Sequence, residues 1–173
     1  LTLRTTANGL RMFNEPISEI EKLHKKEHKW ENLDIEEANK KLSTINSELL
    51  HVKCEIENVN SIAYSIMFDE DSLYYTLKPN IFQYNIDVEG SEPFTFKYLP
   101  ELGSNTMYYE FIVDRTSLEV FVDHGRFTMI LPRKLNPEKK GMRFDSGDWG
   151  SEINDIKINK LEVYELESIW KEN

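Results

Sequence analysis

The sequence predicts an all-β protein, a two-sheet antiparallel β-sandwich of jelly-roll-like character with one or two short helices near the N-terminus. Three observations predict it. About a dozen short β-forming runs follow one another at close spacing, punctuated by Gly and Pro, without the strand–helix alternation of a parallel sheet. Residues 48–57 alternate cleanly, with Leu50, Val52, Cys54 and Ile56 on one side and His51, Lys53, Glu55 and Glu57 on the other, the pattern of a half-buried antiparallel strand. Residues 114–134, DRTSLEVFVDHGRFTMILPRK, place two apolar runs around Asp123-His124-Gly125, a strong hairpin signal.

In chain order, residues 1–6 and 10–14 surround Ala7-Asn8-Gly9, and Asn-Gly is a favoured turn pair, so the chain opens with a hairpin. Pro16 then starts a segment with Ile17, Ile20 and Leu23 at helical spacing, which predicts a helix to about residue 27. His24 and His28 would share one face of it at metal-ligand spacing. No H-E-x-x-H pattern forms, so a solvated basic face is the expectation. Residues 30–35 read as a short strand and 36–42 as a helical turn. After the alternating strand, residues 62–68 and 73–77 flank Asp69-Glu70-Asp71-Ser72, an acidic turn without the oxygen spacing of a calcium loop, hence a solvated hairpin tip. Further β-like runs fall at 81–88, 94–99, 107–113, in the central hairpin, and at 141–144 and 153–165. In that hairpin Leu118, Val120 and Val122 share a core face, and Ser117, Glu119 and Phe121 share the other. Tyr74, Tyr75, Tyr84, Tyr108 and Tyr109 are expected to pack within sheets.

With 173 residues, 39% hydrophobic and 30% charged, the chain has the make-up of one globular core. A formal charge of −10 argues against nucleic acid, whose phosphates need a concentrated basic surface, and leaves a neutral partner such as a sugar unpenalised. No apolar run is long enough to span a bilayer, so no membrane partner is expected. Cys54, the only cysteine, has no internal disulfide partner, and its place in an alternating run marks a small buried hydrophobe. The chain starts at Leu1 inside a strand-like run, and the expectation is a fragment of a longer polypeptide.

The chemistry-bearing residues form pieces rather than a convergent set. There is no nucleophile elbow, no phosphate-cradling Gly loop and no Cys/His zinc spacing, so neither a cofactor nor a metal is implied. Among 31 acidic residues a pair such as Asp114 with Glu119 is weak evidence of acid–base catalysis. Sugar binding needs less: an aromatic face plus charged groups that make paired hydrogen bonds to vicinal hydroxyls. Two stretches offer these. Asp114, Arg115 and Glu119 lie close together in the central hairpin, where an Asp/Arg turn closed by its own ion pair is the structural alternative. Residues 145–150, DSGDWG, carry Asp148 and Trp149, and a tight turn with the Trp capping the sandwich is the alternative there. The carbohydrate-binding candidates are therefore Arg115, Glu119, Asp148 and Trp149. Trp30 is expected to staple the helical segment to the sandwich, and Trp170 lies in a terminal stretch that could fold onto a partner surface.

Two stretches together resemble the glycoside hydrolases of family 32: levanases, inulinases, invertases and related β-fructosidases. The opening LTLRTTANGLRMFNEPISEIEKL is similar to the passage by which those enzymes leave their catalytic propeller and enter a C-terminal, concanavalin-like β-sandwich. The run FIVDRTSLEVFVDHGRFTM is similar to the signature hairpin of that sandwich. The family's catalytic motifs, an N-D-P-N-like stretch, R-D-P and a Glu beside Cys, are absent, and Asp114-Arg115-Thr116 does not supply R-D-P. The resemblance thus implies a junction over residues 1–30, a sandwich over 31–173, no catalytic residue, and the propeller of the same polypeptide as partner, with a homo-oligomer contact as a further option. Carbohydrate-binding module family 66 resembles the same fold and binds terminal fructose of levan, which makes a fructan-binding module the alternative function. A secreted fructan hydrolase implies an extracellular location, and an enzyme acting on imported sucrose a cytoplasmic one.

Overall fold

The computed structural model describes residues 1–6, 9–59, 61–77, 80–86, 88–98, 104–134, 141–145 and 156–168. Strands β1 (Thr2–Thr6) and β2 (Gly9–Phe13) form a separate two-stranded hairpin. A short 3-10 helix, Ser18–Leu23, leads into β3 (His24–Leu33), and α1 (Ile35–Leu42) follows. The remaining strands are β4 (Leu50–Asn58), β5 (Ala63–Phe68), β6 (Asp71–Thr76), β7 (Ile81–Asn85), β8 (Phe94–Lys97), β9 (Thr106–Val113), β10 (Ser117–Val122), β11 (Phe127–Pro132), β12 (Met142–Asp145) and β13 (Ile156–Leu166). They make a six-stranded sheet ordered β11-β10-β9-β4-β13-β3 and a five-stranded sheet ordered β12-β5-β6-β7-β8. Every pairing is antiparallel.

Alternation decides what each sheet contributes to the core. Val52, Cys54 and Ile56 of β4, Phe111 of β9, Leu118, Val120 and Val122 of β10 and Val163 of β13 are buried against Ile66, Phe68, Leu73, Phe82, Tyr84 and Phe144 of the other sheet. Aromatic contacts bridge the layers: Phe68 meets Phe111 edge-on at 5.2 Å and Phe82 meets Tyr109 at 6.2 Å. The tyrosines behave as sheet packing, with Tyr75, Tyr84 and Tyr109 inside. Helix α1 is held by an Asp34/Glu37 capping box and buries Ala38 and Leu42. Asn39 docks it on the edge strand β12, donating to the Phe144 carbonyl at 2.9 Å and accepting from its N–H at 2.8 Å.

Three local expectations change. The predicted helix over 16–27 is one 3-10 stretch followed by a strand. Ile17, Ile20 and Leu23 support only that first stretch, and from His24 the backbone pairs with β13, carrying the sandwich back to His24. Beyond Leu23 the polar sequence HKKEHKWENL carries little apolar alternation, as suits an edge strand. Trp30, partly buried, packs on the core from this strand and stacks on His28 at 5.6 Å.

The acidic turn is no solvated tip. Asp69 and Asp71 are fully buried, because the end of β11 from the other sheet closes onto them. Arg133 Nη2 donates to Asp69 Oδ2 at 2.6 Å, and the Tyr84 hydroxyl and the Lys134 N–H both donate to Asp71 Oδ2 at 3.2 Å. The turn is thus a polar clip between the sheets. His51 departs too: placed on the polar side of β4, it has no solvent exposure.

Candidate functional site

The Asp114-Arg115 turn joins β9 to β10. Asp114 Oδ1 accepts the Arg115 N–H at 2.7 Å, its N–H donates to the Ser117 carbonyl at 2.9 Å, and Arg133 Nη1 donates to its carbonyl at 2.8 Å. Arg115 does not close the turn with Asp114. Its Nε donates to Glu48 Oε2 at 3.1 Å in an exposed pair, which contributes about 0–1 kcal/mol. Arg115 stands at the rim of a hollow of about 150 Å³ whose walls are chiefly Ile20, Leu23, Leu49, Ile112 and Leu166.

Glu119 lies on β10 opposite Ile112 and Ile130, half-buried and without a hydrogen bond or ion pair among the described residues. Arg115, in the turn, and Glu119, on β10, therefore do not line one cavity together. Asp148 and Trp149, like Trp170, lie outside the described residues.

A second concavity includes Asp145. Asp34, Glu36, Asn39, Arg143, Phe144 and Asp145 line a groove of about 670 Å³ between α1 and β12. Arg143 Nη1 is anchored on the Asp69 carbonyl at 2.7 Å. A guanidinium among carboxylates has the chemistry for vicinal hydroxyls, and sequence reading found only Asp145 of this set. The others are brought together by α1 packing on β12; the capping box at Asp34 was the one local signal available.

The predicted histidine pair is not a ligand pair. His24 Nε2 lies 2.9 Å from His51 Nδ1, and His28 Nε2 lies 2.9 Å from Glu165 Oε1, so their partners differ and neither belongs to a solvated helical face. Among the described residues no group of three metal-ligating side chains forms. Cys54 is buried, and desolvation pushes its thiol far above the usual thiol range.

Among the described residues, the largest exposed apolar set belongs to the opening hairpin. Leu3 pairs with Met12 and Thr5 with Leu10, which puts Leu1, Leu3, Leu10 and Met12 on one face, each 60% to 82% exposed. The other face buries Phe13 beneath the Arg4 guanidinium, 4.6 Å from the ring centroid. The chain leaving this hairpin is latched to the central one. The Asn14 N–H donates to the Gly125 carbonyl at 2.8 Å, and Gly125 has φ +77 in a tip where Asp123 and His124 are also left-handed.

No protein-family model and no curated protein matches the chain. Solved structures do. An exo-inulinase from Aspergillus awamori superposes with a TM-score of 0.69 at 14% identity, over 97% of this chain and 35% of that one. A sucrose-6-phosphate hydrolase from Lactobacillus gasseri gives 0.69 at 12% identity, over 97% and 33%. Fructan 1-exohydrolase IIa from Cichorium intybus gives 0.62 at 10% identity, over 95% and 40%. The chain thus spans between 33% and 40% of the length of these enzymes. Its fold is similar to that of the C-terminal β-sandwich of glycoside hydrolase family 32 fructosidases.

Proposed function

We propose that the chain is a non-catalytic accessory domain of a fructan- or sucrose-hydrolysing glycosidase, supporting the catalytic propeller of the same polypeptide. The observation that carries this reading is the match of 97% of the chain to only 35% of an exo-inulinase. The apolar face of the opening hairpin is the surface such a role needs, since Leu1, Leu3, Leu10 and Met12 are left without cover within the described chain. Full burial of one such side chain is worth about 1.5–3 kcal/mol, so four of them make a substantial contact. An extracellular location goes with this reading if the parent degrades polysaccharide.

The test is a pair of substitutions, Leu3→Glu with Met12→Glu, in the parent polypeptide. Their side chains are exposed here, so the 173-residue chain alone keeps its stability. The parent's catalytic domain melts several degrees lower. An unchanged parent overturns the docking role. Incubation of the chain with sucrose, levan or inulin releases no fructose, and release would overturn the non-catalytic reading.

Fructan binding through Arg115, Glu119, Asp148 and Trp149 is the second reading. The groove at Asp145 favours it, because it gathers Arg143 and further carboxylates around the first residue of the stretch 145–150. Calorimetric titration with millimolar levan fragments tests it, and no heat at that concentration dismisses it.

A further inference from the structure

The outer face of the six-stranded sheet carries a chain of titratable groups that the accessory role does not use. His24, the first residue of β3, is 2.9 Å from His51 of β4, and His51 Nε2 is 2.6 Å from Glu110 Oε1 on β9. The Tyr108 hydroxyl donates to the second Glu110 oxygen at 3.3 Å, and Tyr164 of β13 stacks on the His24 ring at 4.0 Å. His51 is fully buried, whereas His24 is half-buried at the sheet edge.

We infer that the His24–His51 pair is a single-proton clasp that holds the 3-10 helix and the start of β3 on the sandwich and releases them on acidification. The geometry admits one proton between the rings. The Glu110 carboxylate accepts from His51 Nε2–H, so in neutral His51 the Nδ1 is bare and accepts from His24 Nε2–H. If His51 carries a proton on Nδ1, His24 Nε2 must be the bare nitrogen. One cationic ring leaves this bond in place, whereas with both rings cationic two N–H groups face each other at 2.9 Å and the bond breaks. His51 stays with Glu110; His24, at the edge, is the partner that leaves.

The surrounding charges do not rescue the doubly protonated pair. Glu21 of the 3-10 helix and Glu27 of β3 favour a charged His24, while burial, His51 and Lys53 of β4 oppose it. Lys53 is itself placed between carboxylates, 3.8 Å from Glu21 and 3.7 Å from Glu110. Tyr164 presents its ring to His24 and donates its hydroxyl to Glu162 at 3.0 Å, and Glu162 in turn pairs with Lys160 at 2.9 Å. Burial, followed by His51, leaves His24 below the ordinary imidazole value of 6.5.

His24 also caps the 3-10 helix, whose Ile20 and Leu23 line the hollow beside Arg115. Besides the pairing of β3 with β13 and the Glu21–Lys53 pair, that segment is tied by the Glu167 N–H to the Leu23 carbonyl at 2.8 Å and, further upstream, by the latch at Gly125. Release of His24 therefore loosens the link between the opening hairpin and the sandwich.

The experiment is amide hydrogen exchange on the 173-residue chain at pH 7.5 and 5.0, corrected for intrinsic rates, together with ¹⁵N shifts of the histidine rings. An open His24 titrating near 6.5 raises the local opening equilibrium by at most ~30-fold over this interval, the limit reached if the closed pair takes up no proton. Protection of residues 21–27 falls by that factor while residues 52–56 hold theirs. His24→Gln, which keeps an N–H for His51 but does not titrate, removes the pH dependence. Protection of residues 21–27 that does not change with pH, the same dependence in His24→Gln, or both imidazoles doubly protonated under a still-protected 3-10 helix would each overturn the clasp.

Discussion

Gly125 is the position where a single methyl group should tell most about how the chain is assembled. At φ +77 an L side chain is strained, which costs about 1–2 kcal/mol by itself. A Cβ there would also overlap the carbonyl of Asn14 and come within 2.9 Å of the Glu15 nitrogen. Both obstacles are backbone, so no side-chain rotation relieves them, and the segment after the opening hairpin has to lift off. That forfeits the Asn14 to Gly125 hydrogen bond, about 1 kcal/mol net.

Gly125→Ala is therefore expected to cost about 2–4 kcal/mol in all. Gly90→Ala is the control: its φ is +80 but nothing lies within 4 Å of the added carbon, so it bears the conformational cost alone. Urea unfolding of both variants gives the energies, and for a chain of this size each kcal/mol lowers the melting temperature by about 2–4 °C. Exchange at the Asn14 amide reports the latch itself. If Gly125→Ala matches Gly90→Ala in stability and Asn14 stays protected, the latch is not what positions the opening segment.

Asp69→Ala should cost about 3–5 kcal/mol in urea unfolding, because it strands the buried Arg133 guanidinium without its carboxylate; a loss under 1 kcal/mol would mean the clip is dispensable. Cys54 should resist a thiol reagent at pH 8 in the folded chain and react with one equivalent in urea, and fast labelling of the native state would contradict its burial. Burial pushes the Glu110 carboxyl up, but the hydrogen bond from His51, the Lys53 charge and the Tyr108 hydroxyl outweigh it and hold it below the usual 4.5. The unfolded state then binds more protons, so this stability is present above pH 4.5 and lost as pH falls through the lower folded value. Glu110→Gln should flatten that part of the stability–pH curve, and an unchanged slope would assign the acid sensitivity elsewhere.

The candidate site was less legible than the fold. Arg115 and Glu119 lie on the hairpin as their spacing suggests, but whether a guanidinium meets a sugar or a neighbouring Glu48 depends on a residue 67 positions away. Arg143 and Glu36 gave no local sign of sharing a groove, since α1 and β12 come together only through tertiary packing and the Asn39 bridge to Phe144.

By itself the sequence determined the all-β architecture and most of its strands. Period-2 alternation in β4 and β10 separates Val52, Cys54, Leu118 and Val120 from their polar neighbours, and Asp123-His124-Gly125 supplies three residues tolerant of positive φ where the central hairpin turns. Only the tertiary structure decided that the charged run from His24 is a strand, that Asp69 and Asp71 are buried, and that His51 on the polar side of its strand never meets solvent. Alternation is a contrast between the two sides of one segment. It carries no information about which distant segment will lie across a side, and burial of a polar group is decided by that second segment and the hydrogen bonds it brings.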